Sequence, residues 1–160
     1  SHGYAPDGFG ATFEGAWRPS IKSWHIERAA MDFLATLVFD KLFTRFSNLR
    51  LVSVENGSEF LPDLLRKLRS TASKMPGYFD EDPVETFRRH VWINPFWEDD
   101  MAEVIGQMGA DRVIFGSDWP HMEGLANPSD IFEELDGVTA ADQQKILHDN
   151  TASLNEPRSV

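Results

Sequence analysis

Apolar residues recur at three- and four-residue steps from His25 to Phe46, at Ile26, Ala30, Phe33, Leu34, Leu37, Val38, Leu42 and Phe46. A buried helical face has that spacing, so one long helix is predicted over 25–46. Asn48 breaks it, and Leu49-Arg50-Leu51-Val52-Ser53-Val54-Glu55 reads as a strand stopped by Asn56-Gly57. Ser58, just ahead of Leu61-Pro62, suits the first turn of a helix over 59–73, which Pro76-Gly77 ends. Asp80-Glu81-Asp82-Pro83 opens a short helical turn through Arg88, and Val91-Trp92-Ile93-Asn94 is a second strand, stopped by Pro95. Asp99 and Asp100 start a helix to Met108, because acids favour its N-terminal end, and Gly109 closes it. Arg112 to Gly116 is the third strand. Helices over 128–136, with Pro128 in the first turn, and 139–149, with Thr139 as cap, follow before a tail over 155–160. Residues 1–24 mix glycine and proline with Tyr4, Phe9, Phe13, Trp17 and Trp24, the character of a long loop or lid.

Three times, a short strand ends at a polar residue and a helix follows, so Glu55, Asn94 and Asp118 occupy equivalent places. Repeated β-then-α order implies parallel strands joined by right-handed crossovers. In a (β/α) barrel such strand ends share one rim, from which catalytic residues are drawn. A doubly wound sheet would converge them less. Three strands cannot close an eight-stranded barrel, so the barrel reading makes this an α/β chain forming the C-terminal half of a (β/α)8 TIM-type barrel, with parallel strands and long helices.

Composition narrows the function. The chain has 160 residues, 41% hydrophobic and 26% charged, enough for one domain with a core. Its formal charge of −11 opposes a phosphate backbone, and its one short basic run is Arg66-Lys67-Leu68-Arg69, so no nucleic-acid partner is expected. With no cysteine, a metal site must use His, Asp or Glu, and a cytoplasmic location is the expectation. Met31 to Phe39 is too short and too polar to span a bilayer, and Ser1-His2-Gly3-Tyr4 opens no secretory signal.

Candidate chemistry concentrates in Val113-Ile114-Phe115-Gly116-Ser117-Asp118-Trp119-Pro120-His121. Three apolar residues run into a small polar turn, which puts Asp118 where a buried strand meets solvent. The plain alternative for an aspartate in such a turn is a local cap. His121 fits either a substrate contact or a surface histidine. Glu55 at its strand end is either a catalytic carboxylate or a solvated, Arg-paired one. Trp92, Phe96, Trp97 and Trp119 lie just after or beside strand ends and could wall an apolar substrate pocket. Trp97 and Trp119, on predicted loops, are the better candidates, Asn94 is a candidate substrate contact, and Trp92 reads by default as core. His25 and His90 read as structural, and His148 as a helix C-terminal cation.

Three segments resemble one known family. Phe46-Ser47-Asn48-Leu49-Arg50-Leu51 through Glu55-Asn56-Gly57-Ser58-Glu59-Phe60-Leu61-Pro62, then Val113 to His121, then Lys145-Ile146-Leu147-His148-Asp149-Asn150-Thr151-Ala152-Ser153-Leu154 resemble the sixth strand, eighth strand and closing helix of the amidohydrolase superfamily. The resemblance is to the branch related to aminocarboxymuconate-semialdehyde decarboxylase and spans residues 25–154. It implies a divalent metal ion, expected as Zn2+, and hydrolysis or non-oxidative decarboxylation of a small carboxylated or aromatic substrate. It also implies that Asp118 touches the metal and handles a proton, that Glu55 stands where many relatives have a histidine, and that His2 is the candidate fifth-strand ligand. The family's first-strand His-x-His pair has no counterpart in these residues. The expected parent protein is therefore roughly twice this length. The fragment would be inactive alone and would form a homo-oligomer or associate with the missing N-terminal half. A non-catalytic interaction module that keeps the fold without the metal is the competing expectation.

Overall fold

The computed structural model describes residues 21–119 and 124–157, with side chains from residue 28 onward. Most of the expected lid, residues 1–20, lies outside the described residues, and the chain is already helical at Ile21. Helix α1 (Ile21–Phe39) does not continue to residue 46; it breaks before a single further turn, α2 (Leu42–Arg45). The cause is tertiary. Lys41 takes a left-handed conformation (φ 53°), its ammonium pairs with Asp80 and lies 4.9 Å from the Tyr78 ring centre, and the Tyr78 hydroxyl donates to the Phe39 carbonyl. The break also splits the predicted apolar face: Leu34, Val38 and Phe43 are buried, while Phe33 and Phe46 are more than half exposed.

Strand β1 (Leu51–Ser53) pairs in parallel with β2 (Val91–Ile93), Leu51 opposite Val91 and Ser53 opposite Ile93. Val113 adds a third parallel line through a single bridge to Ile93. Between β1 and β2 run α3 (Leu61–Lys74) and α4 (Pro83–His90), and between β2 and Val113 runs α5 (Met101–Met108). Their ends follow from local chemistry. Pro62 sits in the first turn of α3, the Asp82 carboxylate accepts the Val84 amide at the start of α4, and the Asp100 carboxylate accepts the Glu103 amide at the start of α5. Gly109 ends α5 at φ 84°, a conformation that glycine adopts without a Cβ clash.

One face of the sheet meets these helices: Val91 and Ile93 join Leu61, Leu64, Leu68 and Phe87 in a single buried cluster. Val52, Val54 and Trp92 alternate onto the other face. There the two valines are exposed, while Trp92 is buried with the Arg112 guanidinium 4.6 Å from its ring centre. His90 is structural, as expected: buried at the start of β2, it stacks on Phe43 and its Nδ1 meets the Leu49 carbonyl at 2.7 Å.

The chain then passes a short α6 (Ile131–Glu134) and enters α7 (Ala140–Gln144), which Thr139 caps as predicted. A π turn over Lys145–Asp149 leads directly into α8 (Asn150–Asn155), so the helix outruns its expected end at 149. His148 therefore lies within the helix, paired with Asp149, and does not stand at its C-terminus. No described helix is long and apolar enough to cross a membrane.

Candidate active site

The predicted third strand, 112–116, survives in the sheet only as Val113. Ile114 still donates its amide to Ile93, but the Phe115 amide turns to the Ile146 carbonyl at 3.1 Å. That carbonyl lies in the π turn, where the wider winding leaves backbone acceptors for other partners. Asn150 secures the same junction, its buried side-chain amide donating to the Ala110 and Val113 carbonyls at 2.8 and 2.7 Å. The chain is thus drawn out of the sheet after one residue and set into the loop that carries Asp118.

Asp118 adopts φ 53°, and Glu55 at the end of β1 adopts φ 58°. Left-handed backbone costs a non-glycine residue about 1–3 kcal/mol, and surrounding contacts must hold it there. Those contacts are visible on both sides of the rim. Beyond Glu55, the Asn56 amide folds back onto the Val54 carbonyl at 2.8 Å. At Asp118, the Leu125 amide bonds the Ser117 carbonyl at 3.0 Å and closes the loop on itself. Glu55 and Asp118 belong to strand lines separated by β2, so their strands run about 10 Å apart. That spacing suits groups acting on two sides of a small molecule better than a directly bonded pair.

Between them stands Asn94, buried at 8% exposure. Its side-chain amide donates to the Pro95 carbonyl at 3.2 Å and the Ile114 carbonyl at 3.4 Å, and a Cβ on Gly116 would come within 3.1 Å of its Oδ1. In this structure Asn94 ties two strand ends together. Trp97 is 41% exposed and Trp119 65%, both on the rim as predicted. Phe96 and Trp97 line a narrow cleft with Met101, Ile114 and Ile131, whose cavity of about 10 Å3 has room for one water. A larger hollow of about 340 Å3 lies between the end of α3 and the start of α4, lined by Arg69, Met75, Phe79 and Glu81. It opens away from the strand C-termini, the rim that carries function in barrels of this kind, and is set aside as the site.

His2 and His121 lie outside the described residues. Among the described residues, no group of three or more His, Asp or Glu side chains could hold a metal ion. A catalytic ion normally takes three protein ligands, so the described residues alone do not fit one. Sequence reasoning named Phe96 as a possible pocket wall but missed the part that Asp99, Ser58, Gly124 and Asn150 play in shaping this rim. The Asp99-Asp100 pair announces a helix start, yet the sequence does not say that Asp100 caps the helix while Asp99 bonds Ser58.

Comparison with known proteins agrees with this geometry. The sequence profile of the amidohydrolase family matches residues 4–154. An amidohydrolase from Mycobacterium avium subsp. paratuberculosis K-10 is 41% identical and superposes with a TM-score of 0.81 over 91% of this chain and 38% of its own. The 5-carboxyvanillate decarboxylase of Sphingomonas paucimobilis shares the fold at 21% identity and a TM-score of 0.67, over 96% of this chain and 47% of its own. A dihydroxybenzoic acid decarboxylase from Polaromonas sp. JS666, solved with bound manganese and the inhibitor 2-nitroresorcinol, does so at 21% and 0.66, over 93% and 46%. The chain thus spans less than half the length of each of these structures. No curated protein matches it.

Proposed function

Because the chain belongs to the amidohydrolase family, we propose that it is the C-terminal half of a (β/α)8 barrel in a metal-dependent hydrolase or non-oxidative decarboxylase. The substrate is a small carboxylated or aromatic molecule, the class named by the two decarboxylases that share its fold. The observation that carries this reading is the pair of acids, Glu55 and Asp118, each held at positive φ where a parallel strand gives way to its loop. Strained residues cluster at active sites, and two acids held at positive φ beside strand ends fit that pattern.

In this proposal Asp118 and Glu55 exchange protons with the substrate or a water from strand ends on either side of β2. Trp97, Trp119 and His121 border the substrate, and Asn94 holds the strand ends between them. A divalent ion, Zn2+ or Mn2+, would stabilise developing oxyanion charge when bound. Asp118 and His2 are the proposed ligands from this chain, and the remaining ligands come from elsewhere in the barrel.

The uncovered sheet face supports the half-barrel part of the proposal. Parallel sheets are normally covered on both faces, yet Val52 and Val54 are exposed here. Beside them, the buried Trp92 Nε1 has no hydrogen-bond partner among the described residues. Further strands, from the rest of a longer polypeptide or from another subunit, would cover that face. The 160-residue chain alone is then inactive.

The test is metal analysis and activity of the full natural polypeptide carrying this sequence, beside its Asp118→Asn variant. Wild type should hold stoichiometric divalent metal and decarboxylate or hydrolyse a member of a panel of hydroxybenzoates and related amides, with the variant losing both. Unchanged metal content and turnover in the variant would remove Asp118 from the site.

A further inference from the structure

The loops that follow β1 and β2 are joined by a single carboxylate oxygen. Asp99 Oδ2 accepts the Ser58 hydroxyl at 2.8 Å and the Phe96 amide at 2.9 Å. Ser58 is 4% exposed, so this bond is shielded from water and worth more than a surface contact. Directly beside it, the edge of the Phe96 ring meets Gly57: a Cβ there would stand 2.8 Å from Phe96 Cδ2 and 2.9 Å from Cε2. Gly57 also has φ +63°, so both its backbone and its missing side chain are needed for the loops to close.

Asp99 is not required for the helix that follows. Asp100 caps α5, leaving the neighbouring carboxylate for the contact between loops. What that contact aligns is the candidate site. Glu55 lies two residues before Gly57, Asn94 lies two before Phe96, and Trp97 follows Phe96.

We propose that Asp99 is a positioning residue that couples the β1–α3 loop to the β2–α5 loop. It thereby fixes the Phe96–Trp97 wall against Glu55 without touching substrate itself. This inference rests on the reading of the rim as an active site. Its physical basis is one acceptor shared between two loops, so loss of that acceptor must release both at once.

Hydrogen exchange on the full natural polypeptide tests the coupling without a substrate. Asp99→Ala should speed exchange about tenfold or more in residues 56–60 and 96–98 together, while Leu64–Leu68 in α3 keep their protection. Asp99→Asn keeps a side-chain oxygen that accepts both bonds and should stay near wild type. Should Asp99→Ala fail to fold, Ser58→Ala breaks only the bond between loops, and it should loosen residues 56–60 while the Phe96 amide stays protected. In Asp99→Ala, release confined to one loop or no release overturns the proposal, and in Ser58→Ala unchanged exchange in residues 56–60 does so. A second arm measures binding of 2-nitroresorcinol to the manganese-loaded protein, where Asp99→Ala should weaken binding about tenfold and Asp99→Asn restore it. Unchanged binding in Asp99→Ala reduces Asp99 to a structural tie. Failure of wild type to bind the probe counts against the proposed function, and the exchange data then decide the coupling by themselves.

Discussion

Gly124 presses its backbone against Asp118: a Cβ built on Gly124 would stand 2.8 Å from both the carbonyl carbon and the carbonyl oxygen of Asp118, and 2.7 Å from the Ser117 oxygen. All three contacts are to backbone, so no flexible side chain can yield. The loop bearing Asp118 closes only because residue 124 has no side chain, and the adjacent Leu125–Ser117 bond fixes that closure.

Gly124→Ala should therefore move Asp118 while leaving the core intact. The methyl group must push the Ser117–Asp118 peptide aside, which costs about 1–3 kcal/mol in a packed setting. The loop contributes few residues to the main cluster, so the cost should appear locally. We expect a fall in melting temperature of only a few degrees, together with loss of the activity or metal binding assigned to Asp118. A variant with full activity in the complete polypeptide would show that the placement of Asp118 does not matter.

Asn150→Asp addresses the other support of the same loop. The wild-type amide donates both hydrogens, to Ala110 and Val113 carbonyls 2.8 and 2.7 Å away. A carboxylate of the same shape has no hydrogen to give and sets negative charge against two carbonyl oxygens in a buried site. Leaving both unsatisfied should cost about 2–5 kcal/mol, read as a lower denaturation midpoint with unchanged slope. Asn150→Asp should be less disruptive at pH 4 than at pH 7, because protonation restores one donor. Equal stability of variant and wild type at neutral pH would mean that these bonds do not hold the strand to its helix.

Much of the fold was legible because its signals are local. Pro62, Asp82, Asp100, Gly109 and Thr139 each mark a helix end through chemistry within a few residues, and all five mark real ends. The parallel order was readable from strands alternating with helices, and Asp118 and Glu55 were placed at strand ends by the same pattern. Tertiary contacts hid the rest. The break at Lys41 depends on Tyr78 and Asp80, so periodicity alone runs the helix through it. The third strand shrinks to Val113 because a helical carbonyl at Ile146, more than thirty residues later, captures the Phe115 amide. Positive φ at Glu55 leaves no compositional mark, since glutamate is not among the residues that favour it, and at Asp118 the mark is weak because aspartate serves equally well in caps and turns.

Acid sensitivity follows from carboxylates away from the rim. Asp63 is held below its ordinary value of 3.8 by hydrogen bonds from Lys67 and then Arg66, and Glu81 below 4.5 chiefly by Arg89. Asp142 is lowered by Lys145 and Thr139, and Asp149 by Gln144 and His148. Each group binds its proton less readily when folded than when unfolded. Their contribution to stability is therefore complete above the ordinary carboxylate values and is lost as pH falls through the lower folded ones. Lys145, raised above 10.5 by the same Asp142, behaves in the opposite sense: its contribution is present below that value and disappears as pH rises through the folded one. These groups are solvent-facing, so the effect is small and screened by salt. Protonation also relieves the self-repulsion of a chain with net charge −11, which works against the loss. A difference experiment separates the two effects. Asp63→Asn should melt below wild type at about pH 7, and the gap should narrow as the pH falls through the carboxylate range and in about 1 M sodium chloride. A gap that persists unchanged at acid pH would show that the Asp63 pairs contribute nothing through their charge.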